Sequence, residues 1–293
     1  MMDFNMFQEV VKDNILNSLP AEYKEASVSV HAVPKVNRTL HALTVMLPDH
    51  NKAPNIYLEE MYEHYQQNED IQTTLAEVAD AVVEATKEMS KVNPVLDADK
   101  IQDNVVLCLV NSTQNEELLK DVPNRSFQDL SVIYRWVVNV DRDGMQSMII
   151  TNDFAAARGF TEEELFQHAV ENTKRICPPR VKSMQEVMAD LAVEDGMPQE
   201  LLESMGVFDA IPLEKNLWVI TNEMGINGAA SMLYEENLHK LAEQIGTDLY
   251  LLPSSIHETI AVSVEMGAPE YLAQMVHDVN MTAVTLDERL SNN

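Results

Sequence analysis

Apolar residues recur at two spacings along this chain, and the spacing changes from segment to segment. A spacing of three to four residues predicts helices over 3–18, 57–67 and 71–89. An alternating spacing predicts paired strands in "ASVSVHAV" and "TLHALTVMLP", with the turn-like "PKVNR" between them. The first part of the chain is therefore expected to hold a hairpin among helices.

The middle of the chain repeats this arrangement. The run "NVVLCLV" predicts a strand, and "LSVIYRWVVNV" and "MQSMIIT" flank a turn at 141–144 that contains Asp-Gly, a strong hairpin signal. Thr161 and Glu164 have the spacing of a capping box, which predicts a helix that stops before Pro178. A further helix is expected over 181–193, "VKSMQEVMADLAV".

The last third of the chain reads as a strand–helix–strand unit followed by another helix. Strands are expected at 217–221 and 248–252, and the helix between them, 228–245, has Asn227 as its expected cap. If these two strands pair in parallel through a crossover helix, the polar segments that follow each of them could meet. The final helix is expected around 269–279.

Hairpins and helices alternate along the whole chain. This order predicts an α+β (mixed α/β) fold, in which antiparallel hairpins are interleaved with helices. Segment 91–100, "KVNPVLDADK", interrupts both spacings with Pro94 and a charged cluster, and it is the best linker candidate. We therefore expect an N-terminal hairpin–helix lobe over 1–95 and a mixed α/β domain over 96–293, with packing as a single unit as the alternative.

Charge is the unusual feature of the composition. The chain has 48 acidic residues against 20 Lys and Arg, a net charge of −28, and the last third alone has 14 against 3. Because the excess is spread over predicted helices and strands, it indicates an acidic folded surface rather than a tail. Such a surface repels phosphates, so direct binding to nucleic acid or to an anionic membrane is not expected. Three interpretations remain open: solubility alone, attraction of a basic protein partner, or an apolar contact surface beside it.

The sequence shows no sign of export or membrane insertion. The N-terminus "MMDFNMFQEV" lacks a basic segment followed by an apolar one, and no run approaches 18 apolar residues. Cys108 and Cys177 do not form a CxxC pair, and their spacing leaves open whether they are free thiols or a disulfide. A cytoplasmic protein is expected.

The segment 249–265, "LYLLPSSIHETIAVSVE", carries the most suggestive chemistry. As a continuous strand it would place Ser255 and His257 on one face and Glu258 in the apolar row of the other. As a turn at 253–255 it would instead leave Glu258 at a sheet end, within reach of water. A hydrolase would use Ser255 and His257 as nucleophile and base, but the chain has no GxSxG elbow.

One polar pocket or sheet end is expected where this segment meets the turn after strand 217–221. Gly225 and Gly228 in that turn resemble half of a phosphate-binding loop, although loop flexibility and helix capping explain them better. No HxxxH, HExxH or cofactor motif is present, so neither a metal nor a cofactor is expected. The expected binding residues are Glu223, Asn227, Ser254, Ser255, His257 and Glu258, and no catalytic residue is assigned.

Four segments resemble an uncharacterised domain-of-unknown-function family of intestinal Firmicutes: "NEELLKDVPNRSFQDLSVIYRWVV", "TEEELFQHAVENTKRICP", "NGAASMLYEENLHKLAEQIGTDLYLLPSSIHE" and "MVHDVNMTAV". The most recognisable words are "LLKDVP" at 118–123 and "LPSSIHE" at 252–258. The similarity spans at least 115–285. It implies a bacterial, cytoplasmic protein associated with conjugative elements and prophages, and it supplies no reaction.

These features together predict a non-enzymatic accessory protein of a mobile element that binds a protein partner. In one version it has an anti-defence role, in which carboxylates occupy the basic groove of a nucleic-acid-binding enzyme. The alternative is a hydrolase-like enzyme with a site around Ser255, His257 and Glu258.

Overall fold

The computed structural model describes residues 1–48, 50, 52–91, 101–141, 144–204, 206 and 211–291. Helices and antiparallel sheets alternate over these residues, so the predicted α+β class is confirmed. The chain forms two compact units, Met1–Leu96 and Asp97–Asn293. The linker predicted at 91–100 lies outside the described residues from 92 onward, so the existence of two separately folding lobes stays a prediction.

The first unit is a three-stranded antiparallel sheet with helices packed on it. Asp3 starts the first helix, because its side chain accepts a hydrogen bond from the Met6 amide at 2.8 Å. Phe7 is buried in the core and stacks on Tyr65 at 5.6 Å. The predicted hairpin and helices are confirmed. In chain order the elements are α1 (Phe4–Ser18), β1 (Ser27–Lys35), β2 (Arg38–Met46), β3 (Asn55–Tyr57), α2 (Leu58–Asn68) and α3 (Ile71–Lys91).

The second unit begins with a sheet in the order β4-β6-β5, in which β7 pairs with the far end of β6. The predicted capping box is confirmed: the Thr161 hydroxyl and the Glu164 side chain each bond the other's backbone amide. The elements are α4 (Ile101–Asn104), β4 (Val105–Asn111), α5 (Glu116–Asp121), β5 (Asn124–Phe127), β6 (Leu130–Asp141), β7 (Gly144–Ile149), α6 (Asn152–Ala157) and α7 (Glu162–Ile176).

A second sheet of the same unit has the order β10-β11-β9-β8, and all its neighbours are antiparallel. Side chains alternate between its faces, so α10 packs on one face through Leu241 and α11 packs on the other through Leu272 and Val276. The elements are β8 (Pro179–Ser183), α8 (Met184–Glu194), α9 (Gln199–Ser204), β9 (Trp218–Asn222), α10 (Glu235–Ile245), β10 (Leu249–Leu252), β11 (Thr259–Ser263) and α11 (Pro269–Thr282).

For two helices of this unit, the predicted first residue is wrong. The helix expected over 181–193 begins only at Met184, because Ser183 caps it and the residues before it pair with β9 as β8. Asn227 does not cap a helix over 228–245. It has a left-handed backbone (φ 52°) and makes no capping bond, and a 3₁₀ helix at 228–233 separates it from α10.

The parallel pairing of strands 217–221 and 248–252, the condition under which the two site segments were to meet, does not occur. The loop 253–258 turns the chain back, so β11 lies between β9 and β10 and is antiparallel to both. Within the described ranges, no helix has both the length and the apolar character needed to cross a bilayer.

Candidate functional site

The residues of the predicted site lie mainly in a loop, 253–258, rather than in a strand. β11 begins only at Thr259, so the interpretation that placed Ser255 and His257 on one strand face and Glu258 on the other is wrong. The alternative turn interpretation describes this loop better: Glu258 is half-buried immediately before β11.

The loop is fixed by backbone hydrogen bonds to two distant parts of the chain. The Ser254 carbonyl accepts from the Leu290 amide at 3.0 Å, and the Ile256 amide donates to the Glu288 carbonyl at 2.8 Å. On the other side, the Ile256 carbonyl accepts from the Ala229 amide at 3.2 Å. The loop is therefore held between the C-terminal segment and the 3₁₀ helix at 228–233.

The C-terminal segment is itself anchored in the core of this unit. Leu290 is fully buried, and its carbonyl accepts a hydrogen bond from the Asn111 side chain, at the end of β4, at 2.9 Å. The Ser291 hydroxyl contacts the Asp129 carboxylate at 2.6 Å. The C-terminal segment thus connects the loop 253–258 to the β4-β6-β5 sheet.

His257 makes contacts through its ring and its backbone. Its Nδ1 accepts from the Asn227 amide at 3.3 Å, so the neutral ring carries its hydrogen on Nε2, which lies 3.7 Å from a Glu288 oxygen. Its amide donates to the Ser255 hydroxyl at 3.0 Å, and its carbonyl accepts from the Thr221 hydroxyl at 2.8 Å. The ring is oriented by the backbone of one segment and by the carboxylate of another.

This geometry does not support a Ser–His nucleophile pair. The Ser255 hydroxyl is buried and accepts from the His257 amide, and no hydrogen bond among the described residues joins it to the His257 ring, as a nucleophile and its base require. Nδ1 is occupied by the Asn227 amide, and Nε2 faces Glu288. These contacts hold the loop in place rather than activate a hydroxyl.

The turn after β9 approaches the loop closely at Gly228. A Cβ atom there would lie far inside van der Waals contact of the Thr221 hydroxyl and the His257 carbonyl, and 2.9 Å from the Asn222 nitrogen. Glycine is therefore required for the close approach of two backbones, not for a phosphate.

The structure brings together three of the expected binding residues, Asn227, Ser255 and His257, and joins Ser254 to the C-terminal segment through its backbone. Glu223 is exposed, and its amide donates to the Pro178 carbonyl at 2.9 Å. A binding role for these residues stays a prediction. Sequence reasoning missed Glu288 and Thr221, because their contacts depend on long-range folding rather than on any local motif.

A second feature lies at the outer edge of the same sheet, where α10 and β10 border an open groove of about 480 Å³. Its apolar lining is continuous with the hydrophobic cluster under α10, and its carboxylates are exposed. The lining residues are Glu235, Glu236, Leu238, His239, Ala242, Asp248, Leu249 and Leu251.

Comparison with known families decides where this chain belongs. A family model described as "Family of unknown function (DUF5688)" matches residues 4–293. The chain is a member of the DUF5688 family. The expected membership of a family of unknown function is confirmed. No curated protein and no solved structure matches it.

A cluster of charged and aromatic residues in this DUF5688 protein joins β5, β6 and α7. Arg125 forms a two-pronged ion pair with Glu162 (3.1 and 2.9 Å) and stacks over Phe166 at 3.9 Å. The hydroxyl of buried Tyr134 also donates to Glu162. Burial, and then this hydrogen bond, raise the pKa of Tyr134. Each polar group has a partner within the chain, so the cluster acts as a clamp on the start of α7.

Proposed function

We propose that this DUF5688 protein is a non-enzymatic accessory protein of bacterial mobile elements, which acts in the cytoplasm by binding a basic protein partner through its acidic surface. The proposal is carried by the net charge of −28, together with the many carboxylates that lie on helices and strands of the described residues. Glu235, Glu236 and Asp248, for example, are exposed on or beside α10 and β10.

Charge and apolar contact have separate roles in such binding. Attraction between an acidic and a basic surface accelerates the encounter and excludes acidic partners, while most of the affinity comes from a desolvated apolar centre. Salt weakens the first effect much more than the second. Sensitivity to salt therefore distinguishes an acidic docking surface from an apolar one.

One specific form of the proposal is an anti-defence role. A nucleic-acid-binding enzyme presents a basic groove to phosphates, and a surface rich in carboxylates can occupy that groove in their place. The resemblance to proteins of conjugative elements and prophages of gut Firmicutes favours such a target.

The test is affinity capture from a host lysate at low and at high salt, with the full chain as bait. We expect a specific basic protein that is lost as salt rises, and for the anti-defence form this protein is a nucleic-acid-binding enzyme. Salt-insensitive capture would point to an apolar contact instead. Capture of no partner at either salt concentration would contradict the proposal.

A further inference from the structure

The two outer strands of the β10-β11-β9-β8 sheet differ in how they are protected. β8 begins with Pro179 and carries Arg180 and Lys182, which both form ion pairs with Asp190 of α8. Proline and charged side chains on an outer strand discourage another strand from pairing with it. The sequence of β8 therefore disfavours the addition of another strand at this edge of the sheet.

The opposite edge lacks these features. β10 has the sequence Leu249-Tyr250-Leu251-Leu252, without charge or proline, and β11 is its only strand partner in the described part of the chain. An antiparallel strand with one partner directs half of its backbone hydrogen-bonding groups away from the sheet. β10 is therefore the edge at which this sheet is open to extension.

The groove described above lies directly beside this open edge. Leu249 and Leu251 point to the α10 face of the sheet, where they line the groove with Leu238 and Ala242. A strand added to β10 would direct every second side chain to that face. Those side chains would enter the groove, so strand addition and side-chain selection would occur at one place.

Exposed carboxylates border the groove. Glu236 forms an ion pair with Lys174 at 3.0 Å, which lowers the pKa of Glu236. Glu235 and Asp248 have no ion pair among the described residues. An added strand thus meets apolar side chains along β10 and negative charge that Lys or Arg would complement.

We propose that β10 and its groove bind an extended segment of a protein partner, which pairs with β10 as a further strand. On the groove face this segment carries apolar residues in its middle and Lys or Arg at its ends. The mode is strand addition, in which backbone hydrogen bonds supply affinity and alternate side chains supply specificity. This inference rests on the proposed function, because it assigns a location and a chemistry to the binding of a basic partner.

The first test uses a synthetic peptide, Lys-Thr-Val-Thr-Val-Thr-Lys, of about the length of one strand. Its Lys and Val side chains share one face. We expect the full chain to bind it, with increased protection from hydrogen exchange at β10. An analogue with Glu for Lys, and one N-methylated at alternate residues, should each bind at least about tenfold more weakly. Equal binding of the N-methylated analogue, absence of protection at β10, or no binding of the parent peptide would overturn the proposal.

The second test compares two double variants with the same change in net charge. Glu235→Lys with Asp248→Lys alters the groove, and Glu265→Lys with Glu270→Lys alters exposed positions near the start of α11. The groove variant should bind the peptide roughly tenfold more weakly than the α11 variant, with circular dichroism confirming that both are folded. Equal loss in both would mean that only net charge matters, which overturns the proposal.

Two further outcomes separate this inference from its alternatives. If the groove variant still captures a basic partner as well as the unaltered chain does, the groove assignment fails while the proposed function stands. If the chain captures no basic partner but binds the peptide at β10, the proposed function fails instead. Dimers blocked by the groove variant in sedimentation experiments would assign the edge to a second copy of this chain and overturn the proposal.

Discussion

At the scale of single residues, Gly228 is the position where the chain tolerates least change. Gly228→Ala should lower the free energy of unfolding by roughly 3 kcal/mol, because its Cβ would collide with the Thr221 hydroxyl and the His257 carbonyl. Urea denaturation measures the change. Gly267→Ala is the matched control, since its Cβ would meet only Tyr271 at 3.5 Å, an ordinary contact. Equal losses from both substitutions would contradict this account of the turn.

The buried Cys177 thiol gives the stability a defined dependence on alkaline pH. Burial raises its pKa from 9.0 to about 11, so the unfolded chain loses this proton at a lower pH than the folded chain. The stabilisation that the protonated Cys177 thiol gives to the folded state is fully present below pH 9 and is lost as the pH rises to about 11. Burial also raises the pKa values of Cys108, Tyr134 and Tyr234, which act in the same direction.

Comparison with Cys177→Ala isolates this thiol from the other groups. Between pH 8 and pH 11 the variant should lose roughly 2 kcal/mol less stability than the unaltered chain, as measured by chemical denaturation at a series of pH values. Parallel pH profiles would show that the thiol is not protected in the folded state. Both cysteines are free thiols in the structure, so no disulfide complicates the comparison.

At the scale of elements, short sequence motifs correctly predicted the hairpin and the helix start that depend only on neighbouring residues. The Asp-Gly signal in the sequence and the Thr161–Glu164 capping box depend on only a few neighbouring residues, and the β6–β7 pairing and the start of α7 agree with them. Ser183 and Glu186 form the same kind of box, at a position that the apolar spacing places inside a helix. The capping box in "SMQE" predicts that the helix begins after Ser183, which leaves the residues before it to form a short strand.

Pairing between distant strands could not be predicted in the same way. A parallel arrangement of 217–221 with 248–252 across the intervening helix does not occur, because β11 lies between β9 and β10. In the candidate site, too, contacts between residues close in sequence were predictable and contacts between distant residues were not. Ser255 and His257 are close in sequence and were expected together, while Glu288 meets the ring only because the C-terminal segment folds back.

At the scale of the whole molecule, the two compact units lead to a prediction about proteolysis. Limited digestion should cleave first within 91–100, because Pro94 and the charges of that segment suit a linker that few contacts hold. Mass spectrometry would identify two fragments close to 1–95 and 96–293, and calorimetry of the intact chain would show whether they melt separately. A single cooperative melt without preferential cleavage there would mean that the chain folds as one unit.

The contact between the C-terminal segment and β4 in the second unit also has a consequence for synthesis on the ribosome. Leu290 is fully buried and bonded to Asn111, a partner 179 positions earlier in the chain. The growing chain cannot close this contact until residue 290 has left the exit tunnel, and contacts of such long range are slow to form. All residues of the first unit are synthesised much earlier in translation. We therefore expect the loop that holds His257 to be among the last parts of this protein to become ordered in the cell.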